Sequence, residues 1–370
     1  MLKKNILKLI RIISDFFQAE LNYRTKPRVL QLPITSKCNS RCVTCNVWKN
    51  KTPIDIEPDK LKDILGDPYF NEVTTVGING GEPTLHLRFE DVVNAVLSLP
   101  KIKNIHLISN AILTKRLLSL MKSCKQLCSA SGCVFNYTIS IDGISQTHNT
   151  VRGVSTAFNK TIESLEEIMK DKNSYCDNID IGCTISKYNV YNLVEFETYF
   201  SNYEININYH LAVPNKRIGT FYNADYSVLS DKRAKLMAEE FFLVKYKEAN
   251  QIKNKIKYFM NFYYLNKGGK GRLATCHYLH QDITIDEKLD VFLCATASDK
   301  IGNLTVNTFN SLIKSGKVNE IEKNISELCD TCIHYCDFPS LKGLFIMFKY
   351  FIANRIRYMF LIKNLSKWLE

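Results

Sequence analysis

Short runs rich in β-branched residues recur along the chain, each followed by a longer stretch in which apolar residues return at helical spacing. The runs Arg28–Ile34, Val73–Ile78, Asn104–Ser109, Val134–Ile141, Ile179–Ile185 and Ile205–Leu211 read as strands. The stretches near 58–66, 89–98, 112–122, 156–170 and 190–200 read as helices, with a longer one near 230–258. Six strand-then-helix units in succession predict an α/β fold, a partial (β/α)6 TIM-like barrel with a parallel sheet. Chemistry in such a fold sits on the loops at the carboxyl ends of the strands. Those places hold Thr35-Ser36-Lys37-Cys38, then Asn79-Gly80-Gly81-Glu82-Pro83, then Ser109-Asn110, then Ser140-Ile141-Asp142-Gly143. The turn-rich Lys267-Gly268-Gly269-Lys270-Gly271 introduces a second cysteine-bearing region, so 28–258 reads as the barrel and 259–340 as a small cysteine-rich domain.

The two ends carry another pattern. In 1–27, Leu2, Ile6, Leu9, Ile10, Ile13, Phe16 and Phe17 fall at helical spacing between lysines, and 341–370 is a basic, apolar, amphipathic C-terminal helix with Phe345, Phe348, Phe351, Met359, Phe360, Leu361 and Trp368. Neither holds the roughly eighteen uninterrupted apolar residues of a membrane span. Two destinations stay open for these helices: peripheral contact with an anionic membrane surface, or a cap over the barrel.

Charge sharpens this picture. The 370 residues carry a formal +12, of which residues 1–30 supply +5 and 341–370 another +5. The body is therefore nearly neutral, without the basic face a nucleic-acid partner needs. At 45% hydrophobic and 23% charged the composition is that of a folded globular protein. The N-terminus has charges through Arg11 and no signal-peptide pattern, which points to a cytoplasmic protein, with the inner face of the membrane as its peripheral alternative.

In a reducing compartment, clustered cysteines point to metal, and eight of the thirteen cysteines lie in two groups. Cys38, Cys42 and Cys45 stand as Cys-x3-Cys-x2-Cys in one loop, and the fifteen residues after Cys45 contain no fourth Cys or His to complete a zinc site. Three thiolates suit an iron–sulfur cluster with one iron left open to a small molecule.

This loop, after the first strand of a six-unit barrel, resembles the signature of the radical S-adenosylmethionine (SAM) superfamily. The resemblance implies a 4Fe-4S cluster on Cys38, Cys42 and Cys45 whose open iron chelates SAM. An electron from the cluster then generates a 5′-deoxyadenosyl radical that abstracts hydrogen from substrate, and a flavodoxin- or ferredoxin-type donor supplies the electron. Gly80, Gly81, Glu82 and Pro83 match the motif that holds the SAM amino group. Ser109 and Asn110 match a polar pair facing the cofactor, and Ser140 and Asp142 match positions near its ribose. Arg152 matches an arginine beside the SAM carboxylate or the substrate, and Leu211 lies where the sixth strand touches the adenosine. The position before the third cysteine, often aromatic in the family, is Thr44, and the nearest aromatic is Trp48.

Cys276 and Cys294, followed by Cys329-x2-Cys332-x3-Cys336, resemble the twitch or SPASM extension of radical SAM enzymes. The tail is too poor in cysteine for two extra clusters, so one auxiliary 4Fe-4S cluster on Cys276, Cys294, Cys329 and Cys332 is expected, with Cys336 as a spare ligand. Structural zinc remains the alternative on spacing alone. Cys124, Cys128 and Cys133 form a looser third group, of which helical spacing puts the first two on one face as packing residues, with a third metal site as the alternative, and Cys176 and Cys183 read as core.

An auxiliary cluster suits dehydrogenation, in which the substrate radical loses a second electron. Only 37 residues precede Cys38, with no leader-binding module among them, which favours a small-molecule, carbohydrate or membrane-associated substrate. A peptide substrate, modified as in maturases of ribosomally made peptides or sulfatases, is the alternative. A zinc-holding RNA-binding protein is a third reading, opposed by the neutral body and the matched loops.

Overall fold

The computed structural model describes Phe17, residues 24–276, Tyr278, 281–334 and 339–366, the last stretch by its backbone alone beyond residue 353. Strands β1 (Val29–Pro33), β2 (Thr75–Asn79), β3 (Asn104–Ser109), β4 (Val134–Ser140), β5 (Asn178–Ile185) and β6 (Asn206–Leu211) pair in parallel, each with the next. β7 (Asp282–Ile285) joins the free side of β1 in parallel, and β8 (Asp290–Phe292) and β9 (Lys300–Asn303) follow antiparallel. One open sheet results, in the order β6-β5-β4-β3-β2-β1-β7-β8-β9, a partial barrel of the expected α/β kind.

Crossover helices connect the parallel strands: α1 (Pro58–Leu65), α2 (Phe89–Leu97), α3 (Thr114–Ala130), α4 (Ser145–Arg152), α5 (Ala157–Lys170), the single turn α6 (Lys172–Tyr175) and α7 (Leu193–Phe200). Each long helix buries an apolar stripe, as with Leu117, Leu120, Met121, Cys124 and Cys128 on α3. Cys124 and Cys128 are thus core residues, and Cys176 and Cys183 are fully buried too.

The strands alternate. Leu30 and Leu32, Val76 and Ile78, Ile105 and Leu107, and Phe135 and Tyr137 lie on one face and are buried, each such side chain stabilising the fold by about 1.5–3 kcal/mol. Parallel sheets are usually apolar on both faces because helices cover both. Here the other face carries Gln31, Asn79, His106, Thr138, Asp180 and Asn208, all half-buried. One face is therefore packed against helices and the other is mostly polar, with Ile108 and Val134 among its apolar members.

Three elements differ from the sequence expectation. The single helix near 230–258 is two, α8 (Lys232–Glu248) and α9 (Ile252–Asn266), because the chain breaks after Glu248 and restarts from an extended Gln251. Helix α4 was unsignalled, since it buries only His148 and Val151 and so lacks an apolar stripe. The hairpin strands β7 to β9 lie in the cysteine-rich segment, yet they continue the barrel's own sheet.

By internal packing, Arg24–Ala238 and His277–Cys329 form one compact unit, and Glu239–Cys276 with the described residues from Asp330 onward belong to another. In the second, α12 (Leu341–Ser366) lays Tyr350 against Phe259 and Phe262 of α9, at ring-centroid distances of 4.9 and 6.0 Å. Its Phe345 and Phe348 are exposed. Helices α10 (Phe309–Lys314) and α11 (Lys317–Cys329) complete the first unit. No described helix is long and apolar enough to cross a membrane. Apart from Phe17 and residues 24–27, the N-terminal amphipathic segment lies outside the described residues.

Candidate active site

The cysteine loop leaves β1 and is fixed from three sides. At its root Thr35 Oγ1 donates to Asp55 at 2.6 Å, and Lys37 Nζ pairs with the same carboxylate at 2.7 Å. The β2 loop docks on it through Gly81 N to Thr35 O and Glu82 N to Lys37 O, both 2.7 Å. Gly80 has φ +132°, and a Cβ on Gly81 would fall 2.0 Å from Lys37 O, so this approach needs both glycines. From the third side, Arg41 N and Val43 N donate to the carbonyls of Arg152 and Val151 at the end of α4. There Gly153, at φ +64°, leaves room for the Arg41 carbonyl.

The Glu82 carboxylate ties the loops together. Oε1 accepts the Thr84 amide and hydroxyl and the Ser109 hydroxyl, and Oε2 accepts the Asn110 amide at 2.8 Å. Asn110 Nδ2 in turn donates to Asn39 Oδ1 at 2.7 Å and Ser40 Oγ at 3.0 Å, inside the cysteine loop. Burial pushes Glu82 above its ordinary value, and these hydrogen bonds oppose it. One lone-pair direction of Oε2 stays available to a further donor.

Asp142, expected near a ribose, is engaged with Arg152: Oδ2 lies 2.7 Å from Nη2, and Oδ1 accepts the Thr184 amide at 2.8 Å. The Asp142 amide donates to His148 Nδ1, so that imidazole is neutral, and burial with Arg152 nearby holds it well below its ordinary value. Arg152 Nη1 points at Cys42 Sγ at 3.9 Å, while its buried Nε has no partner.

Cys38, Cys42 and Cys45 line one pocket with Ser40, Trp48, Gly80, Gly81, Glu82, Ser109, Asn110, Ser140, Asp142 and Arg152. Pro83 and Leu211 do not line it; Pro83 opens a buried 3-10 turn and Leu211 faces the apolar side of β6. Trp48 stands under Arg41 and Lys49 and donates to Cys42 O. No trio of His, Cys, Asp or Glu among the described residues is close enough to hold a single metal ion. A four-iron cluster asks for something wider, one thiolate on each of three irons. Backbone amides at Ser40 and Val47 donate to the sulfurs of Cys38 and Cys45 at 3.4 and 3.5 Å, which favours thiolate. Without a cation, burial pushes Cys38 up to about 12 and raises Cys42 and Cys45 as well. Half-buried thiols, amides aimed at sulfur, an adjacent guanidinium and a buried Asn39 Nδ2 without a partner all fit an anionic cluster with a bound amino acid.

The pocket continues onto the polar sheet face, since its lining residues Asn79, Ile108, Ser140 and Thr184 alternate into that side. Below them His106 Nε2 meets Thr138 Oγ1 at 2.6 Å, and Asn79 Nδ2 donates to Gln31 Oε1 at 3.2 Å. Burial lowers His106, against the pull of Asp180. The sequence reading passed over these residues. Their signal was the alternation in Asn-Ile-His-Leu-Ile-Ser and Asn-Ile-Asp-Ile-Gly-Cys-Thr-Ile.

The second cysteine group divides between the two units, Cys294 and Cys329 in one and Cys276 and Cys332 in the other. Cys294 is buried and accepts the amides of Thr296 and Ala297 at 3.4 and 3.5 Å. Cys332 accepts the His334 amide at 3.4 Å. The buried Arg272 guanidinium donates to the carbonyls of Ala274 and Thr275 and to those of Cys332 and His334, joining the segments that carry Cys276 and Cys332. Cys336 lies outside the described residues.

The chain is similar to the GTP 3′,8-cyclases of Mannheimia succiniciproducens, at 26% identity over 42% of this chain and 46% of that one, and of Alkaliphilus metalliredigens, at 30% over 28% and 32%. It thus spans less than half the length of these curated relatives. Among solved structures, anSMEcpe with bound AdoMet and Cp18Cys peptide superposes with a TM-score of 0.57 at 18% identity, covering 92% of this chain and 99% of that one. Streptococcus suis SuiB bound to S-adenosylmethionine superposes at 0.56 and 16%, covering 83% and 69%. At such identities these two show the shared fold. Residues 32–196, from β1 into α7, match the radical SAM superfamily: the chain carries a radical SAM domain, and a 4Fe-4S cluster and SAM are the cofactors of that family.

Proposed function

We propose that this enzyme abstracts hydrogen from a polar, hydroxyl- or amide-rich substrate laid on the inner sheet face, and oxidises it with the help of an auxiliary 4Fe-4S cluster. The polar face running down from the three-thiol pocket carries this reading. An apolar substrate there would strip water from Asp180 and Asn208 without offering them a partner, at about 1–3 kcal/mol for each, beside a His106–Thr138 pair already bonded to one another. When bound, the first cluster supplies the electron that cleaves SAM, and the second accepts the electron that dehydrogenation leaves behind. The chain's own part is to hold and to orient. Asn110 and Glu82 fix the SAM-facing loops, Arg152 offers its unpartnered Nε to a carboxylate, and the neutral His106 can take a hydroxyl proton from the substrate.

The auxiliary site is assigned to Cys276, Cys294, Cys329 and Cys332, with Cys336 in reserve. Amide-to-sulfur hydrogen bonds at Cys294 and Cys332 repeat those at Cys38 and Cys45, which supports thiolate ligands. A small molecule or carbohydrate is the first substrate class. A hydrophilic peptide is the second, favoured by the likeness to anSMEcpe and SuiB, both solved with peptides.

The test offers C-deuterated polyols, amino sugars and hydrophilic peptides to the reconstituted, reduced enzyme, and follows deuterium into 5′-deoxyadenosine by mass spectrometry. Transfer from a polyol or amino sugar supports the first class, and transfer from peptide selects the second. Transfer from a deuterated fatty acyl chain alone overturns the polar reading.

A further inference from the structure

The loop that follows β6 does more than connect. Residues 213–220 form a compact turn, closed by Thr220 N to Asn215 O at 3.0 Å and held from beneath by Tyr226, whose hydroxyl bonds Val213 O and Thr220 Oγ1. One side of this turn grips the cysteine loop, where Asn46 Nδ2 donates to Gly219 O at 2.8 Å, next to Cys45. Its other side grips the turn after Cys294. Asn215 Nδ2 donates to Ala295 O at 3.0 Å, Lys216 N donates to Thr296 O at 2.7 Å, and Lys216 Nζ pairs with Asp299 at 3.1 Å. A single strap therefore ties the loop of the first cysteine group to a cysteine of the second.

Between these two grips the strap carries Arg217. Its Nε is buried and has no hydrogen-bond partner, and it stands two residues before Gly219, whose carbonyl is held by Asn46, the neighbour of Cys45. Arg152 covers the Cys42 side of the pocket but is already paired with Asp142. Arg217 is the cation that this strap carries beside its contact with the Cys45 end of the cysteine loop. A positive charge beside a buried iron–sulfur cluster favours its reduced, more negative state, and the low local dielectric leaves that effect weakly screened.

We propose that Arg217 is a positioning residue of the SAM-binding cluster: the strap holds its guanidinium against the Cys45 side, where its charge raises the reduction potential. The inference rests on the reading that Cys38, Cys42 and Cys45 hold a four-iron cluster.

The experiment is an EPR-monitored redox titration of the full-length reconstituted protein, as wild type, R217Q and R217K, with iron and sulfide counted in each sample. R217Q is expected to keep its iron and to titrate lower, with an about tenfold smaller ratio of reduced to oxidised cluster at the wild-type midpoint, about 59 mV for a one-electron couple. R217K is expected to titrate near wild type. An iron-replete R217Q with an unshifted midpoint overturns the inference, as does loss of iron in both variants, which marks a purely structural residue. Wild-type protein that takes up no iron defeats the cluster reading itself, a separate outcome.

Discussion

Replacing Asp142 by Asn removes the negative half of the Asp142–Arg152 pair and changes almost nothing in volume. The two groups meet at 2.7 Å with side chains 4% and 11% exposed, so the charge left behind has little access to water. Asn retains an oxygen for the Thr184 amide, so the substitution isolates the charge. A buried ion deprived of its partner costs about 3–5 kcal/mol. Asp142→Ala also orphans the Thr184 amide, for about 1–3 kcal/mol more. Arg152 Nη1 lies 3.9 Å from Cys42 Sγ, so an anionic cluster on that sulfur gives the guanidinium a substitute partner. D142N is therefore expected to lose more stability without the cluster than with it. Anaerobic urea unfolding of both forms measures the two losses. A cluster-free D142N within about 1 kcal/mol of wild type, or equal losses in both forms, refutes the reasoning.

Other substitutions test other parts of the account. In Gly81→Ala the new Cβ meets the Lys37 carbonyl, so the β2 loop must lift off the cysteine loop, and iron retained per chain is expected to fall several-fold while the core stays folded. Cys294→Ala is expected to halve the iron content and to leave reductive SAM cleavage in place, as read by iron assay and 5′-deoxyadenosine formation. Burial pushes Asp282 up to about 7, with Arg24 opposing. The folded chain holds this proton up to about pH 7 while the unfolded chain gives it up near its ordinary 3.8, so stability is expected to fall between about pH 4 and pH 7, by on the order of 4 kcal/mol at most, and then to level off. Asp282→Asn flattens that slope in urea titrations at the two pH values; an unchanged slope counts against a buried ionising Asp282.

Much of the barrel was legible because its signals are local. The six parallel strands lie within two residues of their expected bounds, and the pocket gathers Cys38, Gly81, Ser109, Asp142 and Arg152 from five separate stretches of chain. The rest depends on contacts between distant segments. That Asp142 would spend its carboxylate on Arg152 follows from the way α4 returns over the cysteine loop, and α4 itself has no apolar stripe to betray it. The place of β7 beside β1 is a pairing across some 250 residues, which periodicity does not encode. Arg217 is one more basic residue in the sequence, and only the fold shows that its strap is tied to Asn46, the neighbour of Cys45. The polar sheet face is readable in the strand alternation of His106, Thr138 and Asp180, which carries no motif of its own.

The central claim is that Cys38, Cys42 and Cys45 hold a four-iron cluster that cleaves SAM. The most direct measurement counts iron and sulfide per chain after anaerobic reconstitution, and in the same samples follows 5′-deoxyadenosine formed from SAM on reduction, in wild type and in Cys42→Ala. The account predicts about eight irons in wild type, 5′-deoxyadenosine on reduction, and in the variant about four irons with no product. Wild-type protein replete in iron that forms no 5′-deoxyadenosine, or product formation that survives the loss of Cys42, contradicts it.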